Sequence, residues 1–478
     1  MGSSTGADIV SHVFTLQEVL VPTESGYCSQ DVQVADGKIT GLGSSLPSLG
    51  ELIDGRGRLL LPGFVNAHTH SPEMWCRGLI PPLPLELWLG VLYGCPALTP
   101  EQVYLSALWT AVETLLSGGT TVVDHLILIP GQELETIAAA VRAYEEIGIR
   151  AVIAPLIHDQ DLRVGIPTGS ASASLVPTPR TEQVLEILNA AIASYHRPDQ
   201  GLYIAVGPTG FQLCSDALFK GCVELSQQHD LCCHTHLLET KAQQMLAYER
   251  YGISGVAYLK NIGFLGPKTS LAHGVWLDDS DIATLATTES TVVHNPLSNL
   301  RLGSGLAPVL KYRRAGVNVS FGCDGSASND GQDLLEAIKL GTLLHNTTDF
   351  EYRNWLDLRD SVSMATYGGM TGLGLQDQVG AIAIGQQADL VLYGLSDWSL
   401  LPATDPLGLL LLGRPNKVVE QLWVKGRPII QNHQIQTVDI AALRQSLLQA
   451  QSNWVNTPPT LNPELEQQYR QSMGLSAC

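Results

Sequence analysis

The chain has 478 residues, 45% of them apolar and only 15% charged, which suits a compact enzyme-like protein of two or three domains rather than a disordered one. Its net charge of −19 argues against a nucleic-acid partner, because a phosphate backbone needs a basic face. Nine scattered cysteines form no Cys-x-x-Cys, and Cys232 and Cys233 are adjacent in an apolar run, so reduced thiols are expected rather than a disulfide framework. No basic stretch followed by an apolar one opens the chain, and the aliphatic cluster Leu409–Leu412 is too short to span a bilayer. A cytoplasmic location without a membrane partner is the expectation.

From Asp8 to about Arg58 the pattern is one of short alternating strands, Ile9–Phe14, Asp31–Val34 and Lys38–Leu42, separated by Gly and Asp-Gly turn signals. The same texture returns in Gly380–Gly385, Ala388–Tyr393 and Val418–Ile430. Two or three strands cannot bury enough surface alone, so both ends are expected to build one split β-sandwich, residues 1–58 with 377–436. Residues 59–376 change texture. Apolar runs at Leu59–His70, Thr120–His125, Arg150–Ile157, Leu202–Pro208, Leu231–Glu239, Thr269–Trp276, Ser290–Pro296 and Asn318–Asp324 alternate with helical stretches such as Thr99–Leu116, Glu133–Ile147 and Glu182–Tyr195. Eight β/α units fit an α/β fold of the TIM-type (β/α)8 barrel better than an open doubly wound sheet. No Gly-x-Gly-x-x-Gly or Walker-type loop follows a strand, which removes dinucleotide and nucleotide-phosphate binding. The Gly-, Ser- and Pro-rich stretch Gly165–Arg180 reads as a long loop and a candidate lid. Residues 437–478 read as a helix and a polar tail without an assigned role.

Barrel enzymes carry their chemistry at the C-terminal ends of the strands. Strand one ends in His68-Thr69-His70, whose imidazoles share a face because side chains alternate with period two. Two buried imidazoles need partners, and a divalent metal is the simplest shared one. Strand five offers His234 and His236 with Glu239, strand six His273, strand seven His294 and strand eight Asp324. Such convergence on one rim predicts a metal site with an open position for water, whose pKa the ion lowers to about 7. Glu239 and Asp324 suit the proton transfers to and from water and leaving group, and His273 suits orienting the nucleophile. Weaker expectations attach to Trp75 and Arg77, in the loop after His70, and to His125 and His294, as substrate contacts; a core role serves each equally well. His234, one layer deeper than His236, reads as a supporting histidine. Ser328 and Asn329 fit a helix N-cap as readily as a site. His12, His158, His196, His229, His345 and His433 have no supporting context.

At these residues the chain resembles the amidohydrolase superfamily, in its branch of aromatic-ring deaminases and triazine hydrolases. The motifs are Pro62-Gly-Phe-Val-Asn-Ala-His-Thr-His70, His234-Thr-His-Leu-Leu-Glu239, Leu271-Ala-His273-Gly, Asn299-Leu-Arg-Leu-Gly-Ser-Gly305 and Gly322-Cys-Asp-Gly-Ser-Ala-Ser-Asn329. The resemblance runs from the N-terminal β module to Arg427. It implies one divalent ion, zinc or iron, on His68, His70, His236 and Asp324. It also implies Glu239 as proton shuttle to a ring nitrogen, His273 as holder of the nucleophile, and Asp324 as a base beside the ion. No lysine occurs between Lys38 and Lys220, so the carboxylated lysine of binuclear relatives is absent and a mononuclear site is expected. Cys323 stands where the superfamily often has Thr or Val, a change in the core. The implied reaction is hydrolytic deamination of an amino-substituted heterocycle: a purine, an adenosine thioether such as methylthioadenosine or S-adenosylhomocysteine, a pterin, cytosine or a triazine. Displacement of chloride from a triazine is the alternative, and a non-catalytic relative is a remoter one. A homodimer or higher homo-oligomer is the implied assembly.

Overall fold

The structure, a computed structural model, describes residues 12–167, 178–413, 415, 417–452, 454 and 457–475. The first three residues of the expected strand Ile9–Phe14 lie outside them, as do residues 168–177 of the expected lid loop. The chain divides into two compact units, residues 1–63 with 377–436, and 64–376 with 437–478.

In the first unit, strands from both chain ends pair into one sheet. Leu390–Gly394 runs antiparallel to Arg58–Pro62, which joins Phe14–Thr23. Among the described residues these strands make a single nine-stranded sheet, eight along one hydrogen-bonded path and Glu51–Asp54 beside Phe14–Thr23, not two separately paired sheets. Phe14 and Trp423 belong to strands three steps apart on that path, yet their rings stack at 5.0 Å. Neighbouring strands are spaced by about 4.8 Å, so the sheet curls over its own core of Leu16, Val32, Val34, Leu60, Leu390 and Leu392. Curling buries one face without needing a second sheet.

The apolar run Leu59–His70 is two strands. Arg58–Pro62 belongs to the curled sheet, and Phe64–Thr69 opens the second unit. All six residues of Phe64–Thr69 are buried, as expected of a parallel strand covered on both faces. It pairs in parallel with Gly119–Ile127, which pairs with Arg150–Ile157. The fourth run splits into Leu202–Ile204 and Gly207–Pro208, both on Arg150–Ile157. Cys233–Leu237, Thr269–His273, Thr291–His294 and Val319–Phe321 form the other parallel sheet. A Val206↔Cys233 bridge links the two sheets, and Asp324 N donates to His68 O at 2.9 Å where the last run returns to the first. The unit is α/β and TIM-barrel-like.

Local chemistry sets the helix ends. Thr99 caps Pro100–Leu116 through a reciprocal box with Gln102, and proline at N1 fits the first turn. Gly148, at φ 82°, closes Glu133–Ile147 in the left-handed region that glycine enters without strain. Among its described residues the tail holds two helices, Ile440–Gln451 and Pro463–Ser472. Leu461, Leu465 and Tyr469 of this tail pack with Leu87, which lies on the Leu85–Leu92 helix. No helix among the described residues is long and apolar enough to cross a membrane.

Candidate metal centre and catalytic pocket

Period-two alternation carries His68 and His70 to one face of the Phe64–Thr69 strand and its end. Strand eight delivers Asp324 opposite them. One ligand atom from each of His68, His70, His125 and His236 lies within 4.8 Å of the others, and the same holds for His68, His273 and Asp324.

The hydrogen bonds fix which ring nitrogens carry protons. His70 Nδ1 donates to the carbonyl of His125 at 2.6 Å, and His236 Nδ1 to that of Thr209 at 2.6 Å. Each Nε2 is then a bare lone pair, yet the two face each other at 3.1 Å. Two acceptors cannot bond one another. His68 Nδ1 is engaged by His234 Nε2 at 2.8 Å, while His68 Nε2 is buried without a hydrogen-bond partner. It lies 3.3 Å from Asp324 Oδ1, which is 3.5 Å from His70 Nε2. Burial holds the His68 imidazole well below its ordinary pKa and lowers that of His236 to about 3, so neither supplies a proton to relieve the crowding. Three lone pairs and a carboxylate converging without protons are the donor set of a divalent cation. His70 and His236 turn their other nitrogen onto a carbonyl, as metal-binding histidines do. His234 stands behind His68, its Nδ1 3.1 Å from Ser270 Oγ.

Two carboxyl groups flank this point in opposite states. Burial disfavours the charge on Asp324, but the imidazoles crowded around it, His68 first and then His273 and His70, hold it well below the usual carboxylate range. Burial, and then the charge of Asp324, push Glu239 well above that range. Ser304 Oγ donates to Glu239 Oε1 at 3.2 Å, and Glu239 Oε2 lies 3.5 Å from His273 Nε2. His273 Nδ1 donates to Asn299 Oδ1 at 2.9 Å, leaving Nε2 as an acceptor 3.9 Å from Asp324 Oδ2. Both His273 and Asp324 have positive φ, 76° and 64°. Such backbone costs non-glycine residues about 1–3 kcal/mol and persists where the surroundings enforce it. The Asn299–Gly305 stretch therefore positions both His273 and Glu239, a role its spacing does not reveal.

The other expected contacts are placed as follows. His125 lies against His236, rings 4.8 Å apart, with Nε2 donating to Gly207 O at 2.9 Å and Nδ1 buried without a partner. Trp75 donates Nε1 to Gln102 O and faces a chamber beside the pocket. Arg77 makes a two-pronged pair with Glu113 at 2.8 and 2.7 Å and does not line the pocket. His294 is paired with His345, Nε2 to Nε2 at 3.1 Å, and also stands outside the lining. Ser328 lines the pocket, whereas Asn329 donates to Cys323 O. Sequence reasoning missed Glu73. The residues after His70 form a 3-10 turn, Ser71–Cys76, that buries this carboxyl in the pocket wall. Ala327 N donates to its Oε2 at 3.3 Å, and a β-carbon at Gly325 would collide with that oxygen. Burial and the charge of Asp324 push Glu73 well above the carboxylate range. The available signal was its place one turn beyond His70.

The profile described as Amidohydrolase family matches residues 59–429. The chain is 35% identical over 378 residues to a 5-methylthioadenosine/S-adenosylhomocysteine deaminase of Thermococcus kodakarensis, covering 79% of this chain and 83% of that protein. It is 32% identical over 398 residues to an 8-oxoguanine deaminase of Pseudomonas aeruginosa, covering 82% and 86%. Among solved structures, an atrazine chlorohydrolase from Arthrobacter aurescens complexed with zinc superposes with a TM-score of 0.85 at 26% identity, over 91% of this chain and 99% of that one. The chain belongs to the amidohydrolase family and is a hydrolase acting on carbon–nitrogen bonds.

Proposed function

We propose that the protein hydrolytically deaminates an amino-substituted nitrogen heterocycle, a purine, adenosine derivative, pterin or triazine, with release of ammonia. The observation that carries this is the pair of buried carboxyl groups beside the converging imidazole nitrogens, Glu239 pushed well above the carboxylate range and Asp324 held well below it. Carboxyl groups driven apart in pKa mark an acid and a base. His68, His70, His236 and Asp324 would hold one divalent ion, zinc by likeness to the zinc-bound relative, and the ion would lower the pKa of water to near neutrality.

The chain's own groups move the protons. Asp324 takes the first proton of the attacking water, while His273 Nε2, its tautomer fixed by Asn299, accepts a hydrogen bond from that water and aims it. Glu239, oriented by Ser304, gives its proton to the ring nitrogen beside the amino-bearing carbon. As the tetrahedral carbon collapses, Asp324 returns its proton to the departing amine, and the second water proton restores Glu239. The carbon–nitrogen bond breaks, a carbonyl forms and ammonia leaves.

Ammonia release across 8-oxoguanine, 5'-deoxyadenosine, methylthioadenosine, pterins and aminotriazines tests the reading. Glu239→Gln is expected to lower kcat by about 10²–10⁴-fold with metal content unchanged; undiminished turnover would sink the assignment. Displacement of chloride is the second reading, favoured by likeness to the chlorohydrolase. Chloride leaves without protonation, so chloride released in place of ammonia from a chloro-substituted aminotriazine would select it. A cytoplasmic setting fits the eight free thiols among the described residues, six of them buried.

A further inference from the structure

Beside the catalytic pocket lies a chamber of about 720 Å³. The two share Glu73, Leu92, Tyr93, Ile127, Leu156 and Leu213 in their walls and so adjoin one another. The volume falls within the 300–1,000 Å³ of small-molecule sites, far more than a bare heterocycle needs. Its walls are mainly apolar, with Trp75, Leu98, Ile129, Leu162, and Val184 and Ile187 of the Thr181–Tyr195 helix, and with the Trp454 ring of the tail 5.8 Å from that of Trp75; Gln160 and His158 are among the polar members. Among the described lining residues there is no lysine or arginine. The carboxyl groups of Glu133 and Asp161 in its walls repel an anion, and burial holds the one imidazole among those lining residues, His158, below its ordinary pKa.

Resting on the deaminase reading, we propose that this chamber receives a bulky, uncharged, apolar arm of the heterocycle, and that the enzyme discriminates against arms bearing a carboxylate or phosphate. An ion entering such walls loses water without gaining a partner of opposite charge. A hydrocarbon arm gains about fourfold in affinity per buried methylene, the equivalent of about 0.8 kcal/mol. Of the compounds in the relatives' names, methylthioadenosine carries a neutral arm and S-adenosylhomocysteine a zwitterionic one. The chamber favours the first.

The test uses the full-length, metal-loaded protein and 5'-alkylthioadenosines from methyl to hexyl, together with a carboxypentyl homologue. The value of kcat/KM should rise about two- to fourfold per added methylene until the chamber fills, and fall at least tenfold on replacing the hexyl arm with carboxypentyl. Ile187→Lys, at a half-buried wall position, should raise the carboxypentyl-to-hexyl ratio at least tenfold. Binding is read in parallel by quenching of tryptophan fluorescence, since Trp75 and Trp454 stand in the wall. Affinity that does not depend on arm length, or equal handling of hexyl and carboxypentyl, overturns the proposal. Length-dependent binding without ammonia from any compound would uphold the chamber and overturn the deaminase reading instead.

Discussion

His68-Thr69-His70 and His234-Thr235-His236 are the same three residues on two strands of one barrel-like unit, and they do different work. His70 and His236 each donate Nδ1 to a carbonyl and turn a bare Nε2 toward the common point. His68 also directs Nε2 there, but its Nδ1 is engaged by His234. The first triplet thus sends two nitrogens to the centre. The second sends one, and spends the other histidine on orienting its counterpart. Period two says which face a side chain takes; the partner of the second ring nitrogen says what that side chain is for.

The largest effect should come from removing a direct donor. His236→Ala is expected to abolish stoichiometric metal binding, measured by elemental analysis of the purified protein, and to lower kcat/KM by 10⁴-fold or more. Full metal content in this variant would break the assignment of the second triplet. Chelation comes next. With free metal at about 1,000 times its dissociation constant, binding stabilises the native state by about 4 kcal/mol, so metal removal should shift the thermal midpoint down by several degrees. An unchanged midpoint would mean that the converging nitrogens hold no ion. His234→Gln should cost less, about 10–100-fold in metal affinity, as expected of a residue that orients a ligand. If His234→Gln proved as damaging as His236→Ala, the asymmetry between the triplets would be lost. Ser270→Ala removes only the hydroxyl behind His234 and should change metal affinity by less than about tenfold, the worth of one buried hydrogen bond.

Much of the barrel was readable because parallel strands buried on both faces announce themselves as apolar runs, and because Thr99-Pro100 and Gly148 mark helix ends by local chemistry. The ligand candidates were readable for the same reason: they sit at the ends of those runs. What escaped depends on the path of the chain through space. Nothing in Leu59–His70 shows that Gly63 passes it from one sheet to another, since both strands are apolar and buried. Glu73 escaped because a 3-10 turn, not a strand, carries it inward. Arg77 looked available for substrate until Glu113, 36 residues later, came to meet it. The texture of alternating strands at the two chain ends gave the pairing of those ends but not the curl of one sheet, which only the Phe14–Trp423 contact exposes.

Trp454 in the chamber wall, and Leu465 behind the Leu85–Leu92 helix, also set an order of events during synthesis. Every residue proposed to bind the ion or move a proton has been made once Asp324 leaves the ribosome. So has nearly all of the chamber wall, Pro72 to Leu213; its Trp454 side waits for another 130 residues, Asp324 to Trp454. The machinery for breaking the bond is therefore complete before the last wall of the chamber that selects what is offered to it. A fusion or truncation at the C-terminus would be expected to alter which molecules are accepted before it altered the chemistry done on them.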